Sequence, residues 1–321
     1  MTAPVAFCGL RLAHPIVNGS GTFDAIAARQ AFGDALVERF PFSAFVSKTI
    51  TLAPRTGNAP PRLWETAGGM LNSIGLPNRG LVGYLEHDLP ELARLPVPLI
   101  TNVMGSTADE VSQLVEAVGA REEIAAIELN VSCPNVRTGL DIGADPASLG
   151  ELVRAVRPRT GKPLIVKLTP NTADVAAVAA VAEAEGADAV SLVNTLRATV
   201  LAPGVSRPWL GGGTGGLSGA AIRSVALAQV AAVAARTSLP VVGMGGVCCG
   251  SDARDLLAVG ATLVAVGTES FRDPRAGARI ASELKALQNP GKRSTSLDTR
   301  RAEVEVQVNS PDSSCGSQSK L

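Results

Sequence analysis

The apolar run Ile124-Ala125-Ala126-Ile127-Glu128-Leu129 leads directly into Asn130-Val131-Ser132-Cys133-Pro134-Asn135. The first six residues form a mainly apolar run typical of a buried strand, and the next six carry amide, hydroxyl and proline residues typical of a loop. A single cysteine therefore follows a predicted buried strand and has polar neighbours in the sequence. Free cysteines usually act as small packing residues, but reactive thiols depend on a polar environment, so we interpret Cys133 as a candidate catalytic base.

Short apolar runs rich in β-branched residues recur along the whole chain, and stretches with helical spacing separate most of them. The runs are Pro15–Asn18, Ala44–Lys48, Pro98–Asn102, Ala126–Asn130, Pro163–Lys167, Ala189–Asn194, Leu239–Gly243 and Thr262–Gly267. Apolar spacing predicts helices over Asp174–Glu185, Arg223–Arg236 and Ser251–Val259. This alternation predicts an α/β fold, a (β/α)8 TIM barrel.

Each predicted strand ends in a polar residue or a glycine, and in a parallel barrel these ends open on one rim. The end residues are Asn18, Lys48, Asn102, Asn130, Lys167, Asn194, Gly243 and Gly267. Strands often end in polar residues where they meet solvent, but four amides and two lysines on one rim predict a binding site. Each lysine could balance an anion, donate to a heterocycle or form a Schiff base, and the sequence alone does not choose among these roles.

The last two predicted strands lead into Gly243-Met244-Gly245-Gly246-Val247 and Gly267-Thr268-Glu269. In many barrels the loops at these positions bind a phosphate through backbone N–H groups. We expect glycine there because a side chain would keep the phosphate away from the amides. The adjacent Cys248 and Cys249 are interpreted as small residues in a tight turn.

Composition narrows the class of protein. The chain has 321 residues, of which 46% are hydrophobic, and its 29 basic and 29 acidic residues give no net charge, which argues against nucleic acid and anionic membrane partners. Its five cysteines include no Cys-x-x-Cys pair and it has two histidines, which argues against a metal site or a disulfide scaffold. The start of the chain has no export signal and no run of bilayer length follows, so we expect a cytoplasmic enzyme.

Two connections are longer than an ordinary barrel loop. Pro54–Leu92 follows the second predicted strand and Arg197–Gly219 follows the sixth; loops of this length are usually functional or disordered, and we expect the first to cover the substrate. We assign residues 1–287 to the barrel domain. Residues 288–321 are polar and lack aromatic residues, which predicts a disordered tail.

Taken in order, the motifs of this chain resemble those of class I dihydroorotate dehydrogenases, from about Ala6 to Leu287. The motifs are Ser47–Thr51, Pro54-Arg55, Gly57-Asn58, Met70–Asn78, the Cys133 segment, Val193–Thr195, Gly215–Gly219 and Gly243–Gly246. The resemblance implies an FMN-containing barrel that oxidises dihydroorotate to orotate in pyrimidine biosynthesis. Lys48–Thr51 and Gly68–Asn72 look most like the NAD-linked class IB catalytic subunit. A cysteine base and the lack of an amphipathic N-terminal extension argue against the membrane-bound, quinone-using class.

The resemblance also assigns roles to individual residues. Cys133 would take the proton from C5 of the substrate while the C6 hydride passes to flavin N5. The implied substrate-binding residues are Lys48, Asn72, Ser73, Ile74, Gly75, Leu76, Asn130, Asn194 and Thr195. The implied FMN-binding residues are Ser20, Lys48, Thr49, Asn102, Asn130, Lys167, Val193, Gly219, Gly245, Gly246, Gly267 and Thr268. Lys167 would stabilise the reduced, anionic flavin ring.

Class IB also implies a partner subunit that carries FAD and a [2Fe–2S] cluster, since the cysteine spacing of this chain cannot hold such a cluster. We expect a homodimer or a heterotetramer. Three alternatives stay open: a uracil- or thymine-reducing flavoenzyme with the same barrel and thiol, a Schiff-base aldolase using Lys167, and a barrel that only binds a ligand.

Overall fold

The computed structural model describes residues 4–132 and 142–288. Its strands are β1 (Val5–Phe7), β2 (Leu10–Leu12), β3 (Ile16–Asn18), β4 (Phe45–Val46), β5 (Leu63–Thr66), β6 (Gly69–Asn72), β7 (Leu99–Val103), β8 (Ile124–Asn130), β9 (Leu164–Lys167), β10 (Ala189–Leu192), β11 (Leu196–Ala198), β12 (Gly215–Ser218), β13 (Val241–Met244) and β14 (Leu263–Val266). Its α-helices are α1 (Ala25–Phe32), α2 (Asp34–Glu38), α3 (Gly80–Gly83), α4 (Leu89–Leu92), α5 (Ala108–Gly119), α6 (Pro146–Val156), α7 (Val175–Ala184), α8 (Arg223–Arg236), α9 (Gly250–Ala258), α10 (Glu269–Arg272) and α11 (Ala276–Gln288).

Eight of these strands form one parallel sheet in the order β3-β14-β13-β10-β9-β8-β7-β4, with helices between them. Every predicted apolar run contributes one strand to it, which confirms the predicted (β/α)8 barrel. The three helices predicted from the sequence are present as α7, α8 and α9. The Asp174 carboxylate caps α7 by accepting from the backbone N–H of Ala177 at 3.0 Å.

A side chain completes the contact between the two end strands of this sheet. The Asn18 amide donates from Nδ2 to the carbonyl of Val46 and accepts the N–H of Val46 at Oδ1, both at 2.8 Å. The backbone N–H of Ser43 also donates to the carbonyl of Ile16 at 3.0 Å. Asn18 is fully buried in this seam. The expectation that it faces a ligand at the rim is therefore wrong, because both ends of its amide are used to close the barrel.

Apolar residues fill the barrel near the amino-terminal ends of the strands. Phe7 and Leu12 of the antiparallel β1–β2 hairpin pack there against side chains such as Ile100, Ala126 and Ile165. The outward faces of the strands pack against the helices in a larger cluster. Polar interior positions occur only farther along the strands, so the fold places its polar groups toward the carboxyl-terminal mouth.

The two long connections pair with each other. β5 and β6 from the first and β11 and β12 from the second form an antiparallel sheet in the order β11-β12-β6-β5. The insertion after the second barrel strand is thus confirmed, but its strands were not predicted. Glycine supplies one residue in β6 and two in β12, and glycine weakens the alternating pattern from which strands are recognised.

Residues 289–321 lie outside the described residues, so the domain boundary at 287 and the disordered tail stay predictions. In the described parts of the chain, no helix is long and apolar enough to cross a bilayer. The same residues contain no group of three His, Cys, Asp or Glu side chains placed to hold a metal ion.

Candidate active site

A cavity of about 560 Å³ opens at the carboxyl-terminal mouth of the barrel, a volume typical of cofactor and substrate sites. Most of the predicted site residues line it: Ser20, Lys48, Thr49, Asn72, Ile74, Leu76, Asn130, Val193, Asn194, Thr195, Gly219, Gly245, Gly246, Gly267 and Thr268. They come from the ends of the barrel strands and from the inserted sheet. The fold therefore brings residues from distant parts of the sequence to one mouth.

Two predicted substrate residues stand behind the lining. The Ser73 hydroxyl donates to the carbonyl of Thr214 at 2.8 Å and accepts from the Asn58 amide at 3.0 Å. Gly75 has φ +75°, and a Cβ added there would lie 2.4 Å from the backbone nitrogen of Asn58. Both residues shape the loop that carries Ile74 into the cavity, and their direct contact with substrate stays a prediction.

Three amide side chains line the cavity with their orientations set by neighbours. Asn130 donates to the Thr49 hydroxyl at 3.3 Å, and Asn72 donates to the carbonyl of Gly216 at 3.3 Å. Asn194 donates to the Ser132 hydroxyl at 2.9 Å and accepts the backbone N–H of Thr195 at 2.8 Å. Amide groups both donate and accept, so this lining matches the alternating donors and acceptors of a polar heterocycle.

Two lysines bring positive charge to the site. Lys48 is exposed and lines the cavity, whereas Lys167 lies beneath the lining with 6% of its surface exposed. Among the described residues, neither ammonium has a carboxylate within the 4.0 Å of a salt bridge or any other hydrogen-bond acceptor. An unpaired buried charge is costly, so the arrangement of Lys167 favours a bound group that supplies an acceptor or a negative charge.

Asn102 also lies beneath the lining, fully buried. Its Nδ2 donates to the carboxylate of Glu128 at 2.5 Å, while its Oδ1 has no partner among the described residues. Glu128 was not among the residues selected from the sequence. Its signal was available, since it is the one charged residue inside the apolar run Ile124–Leu129.

The glycine turns after β13 and β14 present free backbone donors. In the described structure, the N–H groups of Gly246, Val247, Gly267 and Thr268 donate no hydrogen bond. The N–H groups of Cys248 and Cys249 are instead taken by the Asp252 carboxylate, at 2.9 and 3.2 Å. The free donors lie in the cavity lining, as an anion site requires.

At the turn after β13, glycine is required for reasons that do not depend on a bound phosphate. Gly246 has φ +74°, and an added Cβ would lie 2.6 Å from Cβ of Arg223; Gly245 has φ +125°, and its Cβ would lie 2.8 Å from Cβ of Ala226. Backbone conformation and packing against α8 thus require these glycines. Gly243 is a buried residue of β13 rather than a rim residue, since an added Cβ would lie 3.0 Å from Cβ of Ala261.

Part of the cavity rim was not predicted from the sequence. Leu63 and Phe271 line the opening with 51% and 57% of their surfaces exposed, and Cys248 lines the wall. Burial, followed by the charges of Glu269 and Asp252, raises the pKa of the Cys248 thiol, so that thiol is protonated at neutral pH. Cys133 lies outside the described residues; Ser132, which precedes it in the sequence, lines the cavity.

Comparisons with known proteins agree with this arrangement. The family described as Dihydroorotate dehydrogenase matches residues 2–287. A relative from Citrifermentans bemidjiense, "Dihydroorotate dehydrogenase B (NAD(+)), catalytic subunit", is 43% identical over 282 residues, which cover 88% of this chain and 91% of the relative. Relatives of the same name from Geobacter sulfurreducens and Desulforudis audaxviator are each 42% identical over 285 residues, with the same coverage. The chain belongs to the dihydroorotate dehydrogenase family.

Proposed function

We propose that this chain oxidises dihydroorotate to orotate in pyrimidine biosynthesis, as the NAD-linked catalytic subunit of a class IB enzyme that uses FMN. The observation that carries the proposal is the meeting of Lys48 with the amides of Asn72, Asn130 and Asn194 in one cavity. A lysine suits the carboxylate of this substrate and the amides suit its ring imide. The names of the relatives support the same activity and the same NAD linkage.

The residues around the cavity fit a flavin mononucleotide. Lys167 is a nearly buried ammonium without a described partner, and Oδ1 of Asn102 is a buried acceptor without one. The free N–H groups of Gly246, Val247, Gly267 and Thr268 suit a phosphate. We assign Ser20, Thr49, Val193, Gly219 and Gly245 to the same cofactor. Bound FMN would supply the hydride acceptor that no side chain can provide.

The residues of this chain would bind the substrate in one orientation and prevent its ring from rotating. Lys48 would bind the carboxylate, and the three amides would bind the ring edge, each already oriented by the neighbour described above. Ile74 and Leu76 would cover the apolar part of the ring from the insertion. Ser73, Gly75 and Thr195 would complete the substrate-binding site.

Cys133 would remove the proton from C5 of dihydroorotate, and this is the step for which the chain supplies a base. Its neighbour Ser132 is tied to Asn194 by a hydrogen bond of 2.9 Å. The residue that precedes the thiol in the sequence is therefore joined to one of the amides that would bind the ring. Such a link would hold the base in register with the substrate.

Electrons would leave through a second protein. The relatives are named as catalytic subunits, which supports a separate electron-transfer subunit, and we propose that this subunit carries FAD and a [2Fe–2S] cluster. We further propose that this chain forms a homodimer or, with that subunit, a heterotetramer.

An anaerobic absorption spectrum tests the proposal. Purified protein should be yellow, and its visible flavin band should bleach when dihydroorotate is added without oxygen. A colourless protein would contradict it. If borohydride then fixed a covalent substrate adduct on Lys167, the result would favour a Schiff-base aldolase. A yellow protein that ignores dihydroorotate but oxidises a reduced nicotinamide in the presence of uracil would contradict it in favour of a pyrimidine reductase.

A further inference from the structure

Glu128 is a buried carboxylate inside the barrel, with 3% of its surface exposed. In the register of β7 and β8 it pairs with Asn102. Its Oε1 accepts from Nδ2 of Asn102 at 2.5 Å, and its Oε2 accepts from the Ser191 hydroxyl on β10 at 2.7 Å. Within the described residues no basic group lies within 4.0 Å of it. Burial of a carboxylate against neutral donors alone is costly, so a purpose beyond packing is indicated.

The carboxylate decides which way the Asn102 amide faces. An amide can offer either its NH2 or its oxygen to a neutral neighbour, but an ionised carboxylate only accepts hydrogen bonds. Glu128 therefore selects the orientation with Nδ2 toward itself. The same selection turns Oδ1 away from Glu128, where it is buried and has no partner among the described residues.

A buried carbonyl oxygen without a donor is costly in the free protein, and a ligand with a ring N–H would satisfy it. The flavin ring carries one such group, its imide N–H. Asn102 pairs with Glu128 in the sheet, and Asn130, the next residue of β8 on the same face as Glu128, lines the cavity. The unpartnered oxygen thus lies in the layer directly beneath the site.

We propose that Glu128 is a positioning residue for the flavin: it holds the Asn102 amide so that Oδ1, and not Nδ2, is the atom presented to the cofactor. This role depends on the proposed function, because it requires that the chain bind FMN. Glu128 acts through Asn102 and contacts no reacting atom. Ser191 fixes the other carboxylate oxygen and so prevents the Glu128 side chain from rotating.

Titration of FMN into apoprotein, followed by flavin fluorescence quenching, tests this role without measuring turnover. In Glu128→Leu the acceptor is lost and the amide can turn, so the Kd for FMN should rise roughly tenfold, the effect of about one hydrogen bond. In Glu128→Gln, the new amide can still accept from Asn102 and donate to Ser191. It can also turn over and donate to Asn102, so the Asn102 amide then has two possible orientations instead of one. The Kd of this variant should rise by no more than about twofold, because two equal orientations differ from one by RT ln 2.

A double-mutant cycle separates positioning from general damage to the barrel. Asn102→Leu should itself weaken FMN binding, and Glu128→Leu should weaken it no further in that background, since the amide to be positioned is gone. Equal effects of Glu128→Leu in both backgrounds would overturn the role. If circular dichroism shows that Glu128→Leu does not fold, Glu128→Met takes its place with the same expectations.

The two proposals fail differently. A wild-type chain that binds no FMN overturns the proposed function and the role of Glu128 with it. A wild-type chain that binds FMN, alongside a Glu128→Leu variant whose Kd lies within twofold of wild type, overturns the role of Glu128 alone. A tenfold weaker Kd that is absent in the Asn102→Leu background supports it.

Discussion

Lys167 pairs with Asn130 in the parallel register of β9 and β8, so a buried ammonium lies beside an amide that lines the cavity. The neighbouring interior residue on β10, Ser191, is engaged by Glu128. Neither neighbour neutralises the lysine. Its charge is therefore available to a bound group, which we propose to be the flavin.

Replacement of this lysine should affect the cofactor more than the fold. Lys167→Met removes the charge and keeps most of the side-chain volume, so we expect the Kd for FMN to rise at least about tenfold, the loss of one charged hydrogen bond, and the flavin midpoint potential to fall. Fluorescence titration and reductive titration against a reference dye measure the two effects. Lys285→Met, at an exposed position of α11, is the matched control and should change neither. An unaltered Kd and potential in Lys167→Met would remove the residue from the flavin site.

Cys133→Ala should separate catalysis from cofactor binding. The thiol is the proposed proton acceptor, so its loss should lower kcat with dihydroorotate by about 10²-fold or more near neutral pH, while the FMN content stays within about twofold of wild type. Cys248→Ala is the control, because Cys248 also lines the cavity but its pKa is raised by burial. We expect that control to keep its turnover. Normal turnover in Cys133→Ala would rule out the thiol as the base.

The barrel was predictable because its signal is local. Runs such as Ile124–Asn130 are buried on both faces, and buried parallel strands are recognisable as continuous apolar segments. The clustering of Lys48, Asn130 and Asn194 followed from topology alone, since parallel strands end at one mouth. However, a position at the rim did not determine the direction in which a side chain points. Asn18 stands at a strand end like the other three amides, but its side chain bonds to the backbone of Val46.

The residues that were missed depend on pairings between distant segments. Nothing within Leu63–Asn72 indicates that it pairs with Gly215–Ser218, because the register of an inserted sheet is set by contacts across the fold. The role of Glu128 required the positions of Asn102 and Ser191, which lie 26 and 63 residues away. A charged residue in an apolar strand could have marked the position, but not its partners.

Two glycines of the cavity should respond differently to alanine. Gly246 has φ +74° and would place Cβ 2.6 Å from Cβ of Arg223, so Gly246→Ala should lower the free energy of unfolding by about 1–2 kcal/mol from the backbone alone. Gly267 lacks a positive φ, and its added Cβ would meet only Thr22, at 3.7 Å. Gly267→Ala should therefore change stability by less than about 0.5 kcal/mol.

At Gly267, FMN binding should be affected even though the stability of the apoprotein is not. Its methyl group would enter the lining beside a free N–H, so Gly267→Ala should bind FMN more weakly while its apoprotein remains stable. Urea denaturation of apoprotein and FMN titration measure the two properties. Equal losses of stability in both variants would show that the turn after β14 is as constrained as the turn after β13.

His14 should make stability depend on pH. Its Nδ1 accepts the backbone N–H of Ile16 at 3.2 Å, which requires an unprotonated nitrogen, and burial lowers its pKa from the usual 6.5. The unfolded chain therefore binds a proton more readily than the folded one as pH falls below 6.5, and the contribution of His14 to stability is lost over that range.

His14→Asn offers an acceptor that does not titrate. Urea denaturation at pH 7.5 and 5.5 should show wild type losing stability relative to His14→Asn on acidification. At pH 7.5, His14→Ala should be less stable than wild type by about 1 kcal/mol, the contribution of the hydrogen bond. If wild type and His14→Asn showed parallel pH dependences of stability, the imidazole would titrate alike in the folded and unfolded states, against this prediction.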